Sequence, residues 1–213
     1  MVEIKFCGLT RPDDAGQVAA LGGSYAGVIF AGGPRHLDAP RAAEVLAAVD
    51  RPVRRVGVFA AHPPDEIARI VEVARLDIVQ LHGDPTPEHA DRVHAVTGAL
   101  VWTVVRIGSA LPPALAELDG VAEAIVVDAL VQGRLGGTGT AFDWSVLPPE
   151  ARPRRSRLVA AGGLSAETVG AAISALTPHV VDVSSGVERA PGLKDHERMR
   201  AFADAVRRHT VER

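Results

Sequence analysis

One cysteine, Cys7, stands in the stretch EIKFCGLTRPDD near the start of the 213-residue chain. A thiolate is a base and a nucleophile, whereas a thiol sealed among apolar neighbours is only a small inert hydrophobe. An aspartate, Asp128, closes the apolar run AIVVD, where a carboxyl can donate or accept a proton. Two glycine-rich stretches offer a different service. AAGGLS carries Gly162 and Gly163, and VSSGVE carries Ser184, Ser185 and Gly186. Glycine lets a backbone approach an anion closely, and amides with serine hydroxyls are what a phosphate needs around it. Whether the thiol is packing or chemistry therefore turns on which elements position it.

Eight short apolar runs recur along the chain: VEIKF, YAGVIF, VRRVGVF, DIVQLH, LVWTVV, AIVVD, RLVAA and VVDVS. Between them lie stretches of helical period, several opened by Thr, Asp or Ser before a Pro or an acidic first turn, as helix N-termini prefer. DHERMRAFADAVRRH closes the chain as an amphipathic helix. Strands alternating with helices call for a parallel sheet with crossover helices. Eight of them without a linker or a break in composition predict a single-domain (β/α)8 barrel over residues 1–213. The competing architecture is a doubly wound open sheet. The helices after the fifth strand, ALPPALAEL, and after the sixth, FDWSVL, carry the weakest pattern.

Strand parity then sorts the side chains. Val2, Ile4 and Phe6 alternate with Glu3, Lys5 and Cys7, and the apolar set belongs against the dry helix layer. Glu3, Lys5 and Cys7 thus face the barrel interior. The same rule turns Gln80 and His82 inward on the fourth strand, Asp128 on the sixth, and Asp182 and Ser184 on the eighth. Polar inward residues at carboxyl strand ends are where barrel enzymes keep catalytic groups, and the loops after strands 7 and 8 are a frequent phosphate site. A third glycine-rich segment, VQGRLGGTGTAFDW after strand 6, has the composition of a lid or a surface loop. Trp102 and Trp144 read as packing residues. Thr10 reads as an N-cap for the helix that begins near Pro12.

Composition closes off other classes. The net charge of −3 suggests no nucleic-acid or membrane surface. The basic stretch RPRRSR, Arg152 to Arg157, is flanked by prolines without aromatic interleaving and reads as a solvated loop. No run approaches the ~20 apolar residues that span a bilayer. A lone cysteine cannot make an internal disulfide, and no charged leader precedes the first strand, so a cytoplasmic protein is expected. Histidines without ligand spacing give no reason to expect a metal.

Taken in order, KFCGLT, FAGGPRHL, RVGVF, VQLHGD, VVDA, GGTGTAFDW, AGGL and DVSSGVERAPGLKD resemble the phosphoribosylanthranilate isomerases of tryptophan biosynthesis, over essentially the whole chain. The resemblance implies an Amadori rearrangement of an aminoaldose phosphate to an aminoketose phosphate, on a small phosphosugar substrate and without a cofactor. It implies Cys7 as the general base at ribose C2 and Asp128 as the general acid at the furanose oxygen. Arg35 would hold the anthranilate carboxylate, where a planar, permanently charged fork fits. The loops with Gly162, Gly163, Ser184, Ser185 and Gly186 would hold the phosphate. His82 is a substrate contact or a structural histidine, and Asp182 a ribose ligand or the partner of Lys5 or Arg55. Lys5, sharing the inward parity of Cys7, would support a thiolate. Gly33 and the pair Ala60–Ala61 depart from the family pattern, which puts local contacts there in question. Neither monomer nor homodimer is favoured. Other phosphosugar barrels fit less well: the histidine-pathway isomerase places an aspartate where this chain has Cys7. Indole-glycerol-phosphate synthase uses lysine chemistry and a longer N-terminus, and ribulose-phosphate epimerases need metal ligands on several strands. A phosphate-binding barrel without chemistry is opposed by the joint presence of Cys7, Asp128 and Arg35.

Overall fold

In the computed structural model, residues 1–50, 52–83, 85–108, 110–129 and 144–211 are described. Eight parallel strands close on themselves in chain order: β1 Glu3–Phe6, β2 Tyr25–Ile29, β3 Arg54–Phe59, β4 Ile78–Leu81, β5 Leu100–Ile107, β6 Ala124–Ala129, β7 Arg157–Ala161 and β8 Val180–Val183. Closure is made by β1 pairing with β8, with Lys5 opposite Asp182. The crossovers carry α1 Pro12–Ala20, α2 Ala39–Ala47, α3 Pro64–Ala74, α4 Pro87–Thr97, α5 Ala114–Glu117 and α6 Val169–Leu176, and α7 His196–Val211 ends the chain.

The inside–outside sorting follows the alternation of each strand. Ile4, Phe6, Val79, Leu81, Ile125, Val127, Val181 and Val183 lie in the layer between strands and helices. Val56, Ile78, Trp102, Val104, Val126, Val159 and Val180 fill the barrel itself. Trp102 is there as packing, edge-on to Tyr25 with ring centroids 4.9 Å apart, and Trp144 lies in the helix-side layer. The amino end of the barrel is plugged by polar groups that satisfy one another. The Tyr25 hydroxyl donates to Glu3 and accepts from Arg157, both at 2.7 Å. Burial and the neighbouring Glu3 push the Tyr25 phenol up to about 12.

Proline stands in the first turn of four helices, at N1 of α1, α3 and α4 and at N2 of α2, where its missing N–H costs nothing. Asp38 and Thr86 cap two of them, accepting the N–H of Arg41 and His89. Four expectations need correction. Thr10 is not the cap of α1: Arg11 holds that position, and the Thr10 hydroxyl instead donates to the Gly192 carbonyl across the barrel mouth. Arg157 is not part of a solvated loop, since it begins β7 and enters the plug. The turn before it is fixed by Asp119, whose carboxylate accepts the N–H groups of Arg154, Arg155 and Ser156. The helix after β5 shrinks to four residues, as two prolines precede it. After β6, the FDWSVL segment ends in one 3₁₀ turn, Trp144–Val146. The preceding segment, Leu130 to Asp143, lies outside the described residues, and with it the expectation of a lid.

One feature of the fold has no counterpart in the repeating βα pattern. After β8 comes a 3₁₀ turn, Ser185–Val187, and then a small antiparallel hairpin, β9 Glu188–Ala190 and β10 Leu193–Lys194. Gly192 turns it at φ 79°.

Candidate active site

Cys7 follows β1 directly, and its N–H extends the ladder to the Val183 carbonyl at 2.9 Å. Only 6% of the residue is exposed. Two residues back, Lys5 is fully buried inside the barrel, its Nζ 2.7 Å from Asp182 Oδ2. The approach of Lys5 to Cys7 is made possible by Gly27 on the neighbouring strand. A Cβ there would sit 3.2 Å from Cys7 Sγ and 3.3 Å from Lys5 Cε, so any side chain would wedge between the two. Burial pushes the Cys7 thiol up, Lys5 opposes that rise, and Asp182 adds to it. Burial also works against the Lys5 ammonium, but Asp182 and Cys7 outweigh it and hold its pKa above the ordinary lysine value. The second Asp182 oxygen, Oδ1, is buried and has no hydrogen-bond partner among the described residues.

Across the barrel, Asp128 near the end of β6 is about one-third exposed. Its Oδ2 lies 3.7 Å from His82 Nε2, too long for a hydrogen bond but close enough to feel the ring. The His82 backbone donates to the Phe59 carbonyl at 2.7 Å, which fixes the residue at the end of β4. Arg106 on β5 has only donors to offer, so its 3.4 Å contact to His82 Nδ1 favours the tautomer with the proton on Nε2, facing Asp128.

Cys7, Asp128, His82, Asp182, Arg35, Gly162, Gly163, Ser184 and Ser185 all line one cavity of about 300 Å³ at the carboxyl ends of the strands. Parity brought this about: the strand ends point polar groups inward, and the loops that follow close the rim. Gly162 and Gly163 adopt φ of 94° and 65°, conformations that side chains disfavour. Gly186 does not line the cavity, but its backbone packs on the loop after β7 so closely that a Cβ would lie 2.0 Å from the Leu164 carbonyl oxygen. The two glycine loops are thus one rigid unit. A second hollow, about 410 Å³, is larger and shares His82, yet neither Cys7 nor Asp128 reaches it.

Two further residues join the site without having been expected there. Glu188 and Lys194 face one another across the β9–β10 hairpin, with Lys194 Nζ 2.8 Å from Glu188 Oε1 and 3.0 Å from the Ser184 carbonyl. Arg35 Nε and Nη2 grip the same carboxylate at 2.8 and 2.6 Å. Both residues belong to the DVSSGVERAPGLKD motif, and the Pro-Gly between them was the available hairpin signal. Of the two partners considered for Asp182, Lys5 takes Oδ2, and Oδ1 has no partner among the described residues, so the Arg55 alternative is not realised.

Comparison with known proteins agrees with this geometry. Residues 4–205 match the family described as N-(5'-phosphoribosyl)anthranilate (PRA) isomerase. A curated relative from Ralstonia nicotianae, named N-(5'-phosphoribosyl)anthranilate isomerase, is 39% identical, with 96% of this chain and 92% of that one covered. The crystal structure of phosphoribosyl anthranilate isomerase from Thermotoga maritima superposes with a TM-score of 0.86 at 31% identity, covering 97% of this chain and 99% of that one. Another solved phosphoribosyl anthranilate isomerase, in complex with reduced 1-(o-carboxyphenylamino)-1-deoxyribulose 5-phosphate, gives a TM-score of 0.83 at 30% identity, with coverage of 97% and 99%.

Proposed function

This chain belongs to the N-(5'-phosphoribosyl)anthranilate isomerase family, and from that premise we propose how its own residues carry the reaction. It is an isomerase of tryptophan biosynthesis. It converts N-(5-phospho-β-D-ribosyl)anthranilate to 1-(2-carboxyphenylamino)-1-deoxyribulose 5-phosphate, an Amadori rearrangement of a small phosphosugar. The observation that carries the assignment of roles is the meeting of Cys7 and Asp128, from β1 and β6, at one cavity rimmed by the glycine loops after β7 and β8.

Asp128 is the general acid. Its proton goes to the furanose oxygen as the C1–O bond breaks, and the anilino nitrogen lone pair forms the Schiff base. Cys7 is the general base, and as thiolate it removes the proton from C2, giving the enaminol that tautomerises to the ketose. A thiol raised by burial needs help to ionise, and Lys5 is the charge placed to give it. Asp182, with one oxygen fixed by Lys5 and the other unpartnered, suits a ribose hydroxyl. His82 stands beside Asp128, where its Nε2–H can steady the carboxylate left after proton transfer. Arg35 holds the anthranilate carboxylate. Gly162, Gly163, Ser184, Ser185 and Gly186 hold the phosphate at the end where family barrels of this type keep it.

We also infer that residues 1–213 form one domain, because the first and eighth strands complete the same barrel. No helix among the described residues is long and apolar enough to cross a membrane. With a single cysteine the protein suits the reducing cytoplasm, acting as a monomer or a homodimer. Decay of anthranilate fluorescence on adding enzyme to phosphoribosylanthranilate tests the activity. Cys7→Ala and Asp128→Asn should each lower kcat by at least about 10²-fold with the fold intact, the size expected for loss of a general acid or base. Near-normal kcat in either variant refutes that residue's role.

A further inference from the structure

Arg35 and Glu188 are 153 residues apart in sequence, yet they form the most complete ion pair in the site. Arg35 leaves the loop after β2 and passes directly over Gly8 at the end of β1. A Cβ on Gly8 would lie 2.6 Å from Arg35 Cδ and 3.0 Å from Ser184 Oγ, so the glycine is the channel through which the arginine crosses the mouth. On the far side it meets Glu188 with Nε and Nη2. A guanidinium gripped along that edge still presents the hydrogens of Nη1 and the outer hydrogen of Nη2 along its end-on edge. That second edge is a full carboxylate-binding fork, and Arg35 lines the catalytic cavity.

Glu188 is itself held. It is buried, and besides Arg35 it takes the fully buried Lys194 on Oε1. Its backbone carbonyl takes the Arg198 guanidinium from α7. The hairpin that carries both residues is tied to the rest of the mouth by the Thr10–Gly192 bond. Two cations on one carboxylate keep Glu188 ionised: burial alone would raise its pKa, and Arg35 and Lys194 bring it below the ordinary glutamate value.

We propose that Glu188, locked by Lys194 in the β9–β10 hairpin, is the positioning residue that aims Arg35, so that the end-on edge of its guanidinium selects substrates bearing an ortho-carboxylate on the anilino ring. The hairpin's task is thus specificity for the aryl carboxylate rather than proton transfer. This rests on Arg35 being the carboxylate clamp, and the test separates the two ideas by using two substrates. One is phosphoribosylanthranilate; the other is the aniline analogue, N-(5-phosphoribosyl)aniline, which lacks only the carboxylate.

Arg35→Met should lower kcat/KM for the anthranilate substrate far more than for the aniline analogue. Glu188→Gln should reproduce that selectivity, with a loss of about 10- to 100-fold on the anthranilate substrate, the range for a charge-assisted contact. The loss should fall mainly in KM. In an Arg35→Met background, Glu188→Gln should have no further effect on discrimination. Glu188→Gln leaves buried charges unbalanced, so the pair Glu188→Leu/Lys194→Met is the second variant. It replaces the ions by apolar groups of similar length, a change that buried ion pairs often tolerate, and it should lose the same discrimination. Equal losses on both substrates for Arg35→Met would overturn the clamp. A carboxylate-specific loss in Arg35→Met, with equal losses on both substrates in folded Glu188→Gln and in the apolar pair, would overturn the positioning role alone.

Discussion

Replacing Lys5 by Met should make the Cys7 thiol harder to ionise. The reasoning can be given a magnitude. Cys7 Sγ and Lys5 Cε both lie within 3.3 Å of the empty Cβ position of Gly27, which puts the sulfur and that carbon no more than about 6.5 Å apart. Two unit charges at that separation, at an effective dielectric constant of about 20, interact by roughly 3 kcal/mol, which is about two pH units in a thiol midpoint. Since Cys7 is the only cysteine in the chain, the rate of iodoacetamide alkylation followed by mass against pH reads this one group. Lys5→Met should move the midpoint up by one to two pH units, and Asp182→Asn, which removes the negative charge, should move it down. Lys5→Met leaves a buried carboxylate without its partner at a cost of about 3–5 kcal/mol, so Lys5→Met/Asp182→Asn serves where the single variant is too unstable. That double variant should move the midpoint up less, because Lys5 acts on the thiol more strongly than Asp182 does. Opposite signs distinguish electrostatics from a loosened barrel, which would admit water and lower the midpoint in every variant. A midpoint that stays put or falls in both Lys5 variants refutes the idea that Lys5 supports the thiolate.

Two other outcomes follow from the geometry of the mouth. Gly186→Ala must displace the Leu164 carbonyl, since the new Cβ would otherwise lie 2.0 Å from its oxygen. It should raise the inhibition constant of inorganic phosphate, and the KM, at least about tenfold, a loss of about 1.4 kcal/mol; calorimetric titration with phosphate checks this directly. Asp14 is a buried carboxylate at the start of α1, bonded to Arg11 and to His196. Burial would raise its pKa, but Arg11 and His196 bring it below the usual 3.8. A lowered folded pKa gives stability that is present above the unfolded value and lost as pH falls through the folded one. The Tm gap between wild type and Asp14→Asn should therefore be full near neutrality and shrink as pH drops from about 5 to about 3.

How far the sequence reaches is set by which parts obey a periodic rule. Along a strand, side chains alternate and one face must be dry, so the inward placement of Lys5, Cys7, Gln80, His82, Asp128 and Asp182 could be read from neighbours two residues away. Helix starts at Asp38 and Thr86 were equally local, because a cap and the N–H it accepts are three residues apart. Thr10 shows where that logic fails. It has the right type for a cap, but a carbonyl from Gly192, 182 residues away, competes for its hydroxyl and wins. Arg157 failed for the same reason in reverse: the string of arginines suggested solvent, while closure of the barrel delivered Glu3 and Tyr25 to its side chain. Nor does any repeat relate Arg35, Glu188 and Lys194. Arg35 rises from a loop, and Glu188 and Lys194 from a short hairpin whose register shifts between Leu193 and Lys194, so no period fixes their directions, and they meet only because Gly8 leaves a gap and that hairpin interrupts the passage from β8 to α7. The proposed acid and base sit on strand ends, in the legible part of the fold. The apparatus that should decide which substrate reaches them sits in the loops, so the chemistry of this barrel can be read from one sequence more readily than its selectivity.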